Sequence, residues 1–250
     1  MQFSRKRIVA VVSATALALL AATVPARLLG YLLPPSIQLS GMSGTIWQGH
    51  AARAHLYTQG KVLALGQLTW SLKPWSLLLL SPSVEVDASW GQQRLKGHGR
   101  VGLAGGITLR HVEANLDARL IREFTPLYIG GTLELQLQDL SLATTQPLPL
   151  EAIEGRIVWR DGVWTAQSGD VALGNYVLEV SGTQGSVIGR VQTLSGPLVV
   201  SGQLALEQQQ YNLDLALRGP ATENQGLRAS LRLIAVPVAD GFDLQVNGRF

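Results

Sequence analysis

Histidines, carboxylates and thiols are the groups from which a catalytic or metal site would be built, and their spacing in this chain builds none. The four histidines are His50, His55, His98 and His111. None has an acidic or second histidine partner at a metal-ligand spacing, and the separation of His50 from His55 across a strand and turn is that of a chance pair. HExxH, GxSxG and Walker-type loops are absent, and Gly60-Lys61 lacks the preceding glycine that a phosphate cradle needs. Glu85 and Asp87 share one face of a strand, and Glu151 and Glu154 flank a strand start. Both pairs read as solvated charges and not as the paired acids of a glycosidase. With no cysteine, thiolate nucleophiles, thiolate metal sites and structural disulfides are all excluded. No enzyme, metal or cofactor site is expected.

Six tryptophans remain: Trp47, Trp70, Trp75, Trp90, Trp159 and Trp164. Large aromatics in a β protein fill or seal its core. A functional alternative places Trp70 and Trp75, with Leu77 to Leu80 behind them, at the membrane surface or a partner contact. Charge excludes one partner class. Arg5, Lys6, Arg7 and Arg27 are four of the 20 basic residues, so 16 basic face 17 acidic residues from Leu28 onward, a net of −1. No basic patch for nucleic acid follows from such a balance.

The elements that position these residues begin with an uncharged run. Ile8 to Ala26 is 19 residues rich in Ala, Val and Leu, placed directly after Arg5-Lys6-Arg7. At about 1.5 Å per residue it approaches the ~30 Å hydrocarbon thickness of a bilayer, and the basic residues hold the amino end in the cytoplasm. A cleaved secretory signal is the competing reading, with small residues at Ala21, Ala22 and Ala26. The apolar stretch exceeds the usual signal core, and Leu28, Leu29, Leu32 and Leu33 continue it. The expected boundaries are a cytoplasmic tail at 1–7, a transmembrane anchor at 8–30, a linker at 31–40 and a periplasmic β domain at 41–250. The β domain has two possible halves meeting near 141–150.

After position 80 the apolar period is two. Val84, Val86, Leu133, Leu135, Leu213, Leu215, Leu244 and Val246 each belong to the apolar phase of a strand and are expected on one side of the sheet. Gly130-Gly131, Asp161-Gly162, Gly174-Asn175, Gly196-Pro197 and Asp240-Gly241 read as turns. Asn115 to Phe124 reads as a strand leading into a short helix stopped by Pro126, and Ser141 to Leu150, with Pro147 and Pro149, as a long loop. The fold class is all-β, an antiparallel meander preceded by one transmembrane helix. Whether the apolar face closes in a sandwich or lines a curved sheet stays open.

Gly41-Met42-Ser43-Gly44-Thr45-Ile46-Trp47-Gln48-Gly49-His50-Ala51 resembles the G-x-S-G-T-[LI]-W-x-G-x-A signature of the type II secretion system protein N family, of the general secretion pathway. Leu68 to Leu78 is similar to that family's W-x-L-x-P-x-x-L-L block, through Trp70 and Pro74. Gly155 to Trp159, Ser195 to Leu198 and Asp240 to Phe250 extend the likeness over almost the whole chain. The resemblance implies a non-enzymatic inner-membrane component with a curved periplasmic β sheet. It implies other secretion subunits and membrane lipid as partners, and no cofactor. The wider AsmA-like group, with a related G-T-x-W-x-G start, implies instead an anchored lipid-binding groove. The residues themselves assign structural roles: Gly44 and Gly49 bend the chain at either end of a short strand, Thr45 and Ile46 favour extended backbone, and Trp47 anchors the first turn in the core. The block would fix how the domain leaves the anchor.

Overall fold

A computed structural model describes residues 5–58, 61–102, 106–123, 128–143, 150–166, 169–207 and 210–249. The chain divides into two compact units, Met1–Gly91 and Gln92–Phe250. The division follows Gly91 and does not fall in the loop near 141–150, of which residues 144–149 lie outside the described residues.

The first unit opens with helix α1 (Arg5–Ala22), a 3-10 turn at Ala26–Leu28 and the short helix α2 (Leu29–Leu32). Three of the 18 residues of α1 are the basic ones at its start, and among the described residues no helix is long and apolar enough to cross a membrane. Strands β1 (Ile37–Gly44), β2 (Gln48–Thr58), β3 (Lys61–Leu72) and β4 (Ser83–Trp90) follow, with helix α3 (Pro74–Leu78) between the last two. Each pairs antiparallel with the next. The sheet begins inside the expected linker. The segment from Gly44 to Gly49, expected as a short strand, is the β1–β2 turn with Gly44 paired to Gly49 across it.

The second unit contains β5 (Gln93–Val101), β6 (Ile107–Asp117), β7 (Ile129–Leu142), β8 (Leu150–Ala166), β9 (Gly169–Thr183), β10 (Ser186–Ser195), β11 (Val199–Glu207), β12 (Gln210–Arg218), β13 (Val236–Val238) and β14 (Gly241–Arg249). Helix α4 (Gln225–Leu231) sits between β12 and β13. Neighbours in sequence are neighbours in the sheet up to β12, after which the order is β14 then β13. The meander is the expected one, and β6 runs into a 3-10 turn at Ala118–Glu123 as the mixed pattern of that segment indicated.

Three of the expected turns are not turns. Gly130-Gly131 lies in β7, Asp161-Gly162 in β8 and Gly174-Asn175 in β9, each beside a register shift. Asp161 and Gly174 have φ of 50° and 129°. A positive φ serves a bulge as well as a reversal, and bulges bend and twist the strand that carries them.

Strict antiparallel register sorts the two faces of this unit. Leu95, Ala114, Leu135, Ile157, Leu178, Val191, Gly202, Leu215 and Leu244 are cross-strand partners in one unbroken row from β5 to β14. Val112, Leu137, Gly155, Val180, Gly189, Leu204, Leu213 and Val246 form the next. On the opposite face Lys96, Glu113, Gln136, Arg156, Glu179, Arg190, Gln203, Asp214 and Gln245 are paired in the same way. Opposite charges directly across a strand pair each contribute roughly 0.2–1 kcal/mol.

Candidate functional site

The residues that carry the signature converge on the place where the amino-terminal helix meets the first sheet. Thr45, Ile46 and Trp47 form the β1–β2 turn, closed by the Thr45 N–H donating to the Gln48 carbonyl at 2.8 Å. From this turn three contacts reach the end of α1 and the segment after it. The Trp47 indole Nε1–H donates to the Ala21 carbonyl at 2.8 Å, the Ile46 N–H donates to the Val24 carbonyl at 3.0 Å, and Thr45 forms a bridge with Pro25. The first of these satisfies a carbonyl in the last turn of α1, where backbone acceptors have no helical partner.

Beneath the turn lies a small core. Ala26 and Ala51 are fully buried and Trp70 is 7% exposed, with Leu29, Leu39, Met42, Leu68 and Val84 packed around them. The Trp70 indole donates to the Ile46 carbonyl at 3.2 Å. Gly49 lies against the face of that ring, and a Cβ there would collide with it and with the Ser43 carbonyl. Gly44, at φ 89°, has the Gln48 backbone where a side chain would stand. Trp47, expected in the core, is half-buried; the deeply buried aromatic is Trp70. Pro74 is the first residue of α3, where its fixed φ and missing N–H suit a helix start.

Ala21, Val24, Pro25 and Ala26 were the partners that sequence reading missed. Ala21 and Ala26 stood out only as small residues of signal-peptide type. Their packing role depends on a turn more than 20 residues away, which local pattern does not show.

The second unit holds the larger core. Leu173, Tyr176, Leu198, Leu217 and Phe242 from the sheet meet Leu227 and Leu231 of α4, with Trp159 and Trp164 against them. Asn224 caps α4 by accepting from the Leu227 N–H at 3.1 Å. Tyr176 donates its hydroxyl between the carbonyls of Leu173 and Leu198, at 2.8 and 2.9 Å. Burial holds its phenol protonated well above the usual tyrosine range. Away from α4 the apolar rows stay half-buried, as at Leu135, Ile157, Leu213 and Val246.

The histidines end in separate places. His50 and His55 lie on β2, and the His98 and His111 rings meet edge to face at 6.2 Å, a pairing their sequence separation had hidden. Glu85 and Asp87 lie on β4, and Glu151 and Glu154 on β8. Among the described residues no group of three or more His, Cys, Asp or Glu is placed to hold a metal ion.

The sequence profile of the family described as type II secretion system (T2SS), protein N, matches residues 35–245. The chain belongs to this family. A type II secretion system protein N of Aeromonas hydrophila is 29% identical over 226 residues, covering 87% of this chain and 86% of that protein. Another, from Vibrio cholerae serotype O1, is 30% identical over 191 residues, covering 73% and 69%. No solved structure matches the chain significantly. The region matched by the protein N family includes the signature turn and both sheet units, while the helix-side partners Ala21 to Ala26 precede it.

Proposed function

We propose that the chain is a non-enzymatic component of the type II secretion machinery, held in the cell inner membrane by its amino-terminal segment, with the amino end cytoplasmic and the β units periplasmic. It acts there through contacts with other inner-membrane and periplasmic subunits. The observation that carries this reading is the junction just described, in which the protein N signature turn grips the uncharged carboxy end of α1. Val9, Val11, Val12, Leu19 and Leu20 of that helix are all more than 60% exposed, a surface suited to lipid and poorly suited to water. The 15 uncharged residues Ile8 to Ala22 extend about 22 Å as a helix, short of the ~30 Å bilayer core. Local thinning of the bilayer accommodates a deficit of this size.

A second reading, an anchored lipid-binding groove of the AsmA-like kind, is favoured by the apolar rows that stay half-buried beyond α4. A curved sheet, which the bulges of β7 to β9 would support, fits either reading. Removal of the gene separates the two. Loss of exoprotein export with an unchanged lipid distribution supports the secretion role; an altered lipid distribution with normal export supports the groove. A reporter fused after Phe250 is expected to be active in the periplasm, and activity in the cytoplasm would overturn the orientation.

A further inference from the structure

The β3–β4 connection is an exposed apolar loop built on a polar base. Ser76 holds the base: its Oγ accepts from the Ser83 N–H at 2.9 Å and donates to the Lys73 carbonyl, while its own carbonyl accepts from the Ser81 N–H at 2.9 Å. Ser81 is 9% exposed, whereas Trp75, Leu79 and Leu80 are 76%, 70% and 70% exposed. The usual arrangement is inverted, with serines inside and the large apolar groups outside. Leu80 also holds φ at 52°, a conformation that a bulky side chain rarely adopts. Among the described residues of the first unit nothing covers these three side chains.

Register places this loop beside the helix junction. Gly44 pairs with Gly49, Gly49 with Trp70, and Leu72 with Val84, so the β1–β2 turn and the β3–β4 connection lie at one end of the sheet. The Leu72 N–H donates to the Trp47 carbonyl at 2.6 Å, and the Trp47 indole binds the last turn of α1. The carboxy end of α1 and the exposed loop are thus joined through one residue. Charge at this end points the same way. Of the seven Lys or Arg in residues 1–84, Lys73 and Arg27 stand at this end, where Glu85, paired with Ser71, is the neighbouring acid. Lys73 stands at the mouth of the loop and Arg27 beside buried Ala26, both exposed.

We infer that the loop from Lys73 to Leu80 inserts Trp75, Leu79 and Leu80 into an anionic lipid surface next to the helix, giving the β sheet a second attachment to the bilayer; this rests on the anchoring reading above. The composition is that of an interfacial contact. Trp favours the boundary between headgroups and acyl chains, Leu enters the apolar side, and Lys and Arg meet lipid phosphates. The short reach of the helix brings its carboxy end, and the loop with it, to that boundary. Two attachments at one end fix the tilt of the sheet against the membrane, which a single helix leaves free to swivel.

The chain has no cysteine, so single-cysteine variants of the full chain take a nitroxide label at one place only. Val12→Cys reports on the helix, Leu79→Cys on the loop and Val62→Cys on the far end of β3, ten residues from Leu72 and so about 33 Å away. The labelled proteins are reconstituted in vesicles of phosphatidylethanolamine and phosphatidylglycerol, and collision with oxygen is compared with collision with a water-soluble nickel chelate. Several-fold preference for oxygen is expected at 12 and 79, with the reverse at 62. Lipid at 12 with water at 79 overturns the loop insertion alone. Water at both overturns the anchoring reading and the insertion together. Shielding of 79 from both reagents means that protein and not lipid covers the loop, which also overturns it.

Discussion

Replacing Trp70 with alanine tests whether the helix–sheet junction rests on a core. Removing a buried tryptophan side chain costs about 3–5 kcal/mol, with the higher values where the surroundings neither collapse nor admit water. Around Trp70 only Ala26 and Ala51 are fully buried, and the other neighbours are half-buried. Water therefore reaches part of the vacated space, which places the transfer and cavity loss near the lower bound. The hydrogen bond to the Ile46 carbonyl disappears as well, adding about 0.5–1 kcal/mol. A total near 3–4 kcal/mol corresponds to a fall of roughly 6–16 °C in Tm at about 2–4 °C per kcal/mol for a chain of this size. The measurement is thermal unfolding of the full chain in mild detergent, followed by near-ultraviolet circular dichroism. Trp75→Ala is the control, because a 76% exposed side chain away from the core changes stability by no more than about 0.5 kcal/mol. Equal melting of the two variants would refute the core assignment.

Tyr176→Phe leaves the Leu198 carbonyl without its hydroxyl donor and is expected to cost about 1 kcal/mol in urea unfolding. With the native phenol held protonated above its unfolded value, the unfolded chain releases this proton first. The contribution is complete below about pH 10 and declines as pH rises further, by at most about 1.4 kcal/mol per pH unit. An alkaline slope unchanged in Tyr176→Phe would refute that origin. Gly49→Ala drives a methyl group into the Trp70 ring and is expected to lower stability by about 1–3 kcal/mol; wild-type melting would show that the ring moves aside freely. Asn224→Ala removes the cap of α4, with an expected loss near 1 kcal/mol and increased binding of a fluorescent apolar probe as the helix lifts from Leu217 and Phe242. No change in either readout would mean that α4 is held by packing alone.

Strands such as β4, β12 and β14 were legible because one face is apolar and the other polar, so period two survives in them; β10, with exposed Ile188 and Leu194, and β5, where Gly97 to Gly99 reads as a turn, were not. Nor were the earlier strands. In β1 the alternation of Ile37 and Leu39 breaks at Gly41, which has φ of 67°, and resumes out of phase at Met42. The long strands β7, β8 and β9 were cut at their bulges, since the residues that tolerate positive φ are the same in a bulge as in a reversal. Helix α4 is seven residues long, too short to show a helical period. In the junction, Trp47 and Trp70 have equal claims as sequence. Their separate fates follow from the partner each meets: an open helix end for one, and Ala26 with Ala51 for the other.

The order of the strands has a consequence for how the chain is made. Synthesis proceeds from the amino end, and within each unit almost every strand pairs with the one just finished, so hairpins are added one at a time with little loop entropy to overcome at each step. The carboxy end departs from this rule. β13 has no place until β14 exists, and β14 enters between β12 and β13, bringing Phe242 into the core beneath α4. A ribosome-stalled chain released just before Gly241 would leave the edge of β12 unpaired and that core open. The nine-residue strand β14 therefore acts as the latch of the second unit, covering the edge of β12 and closing the core over Phe242 in one step.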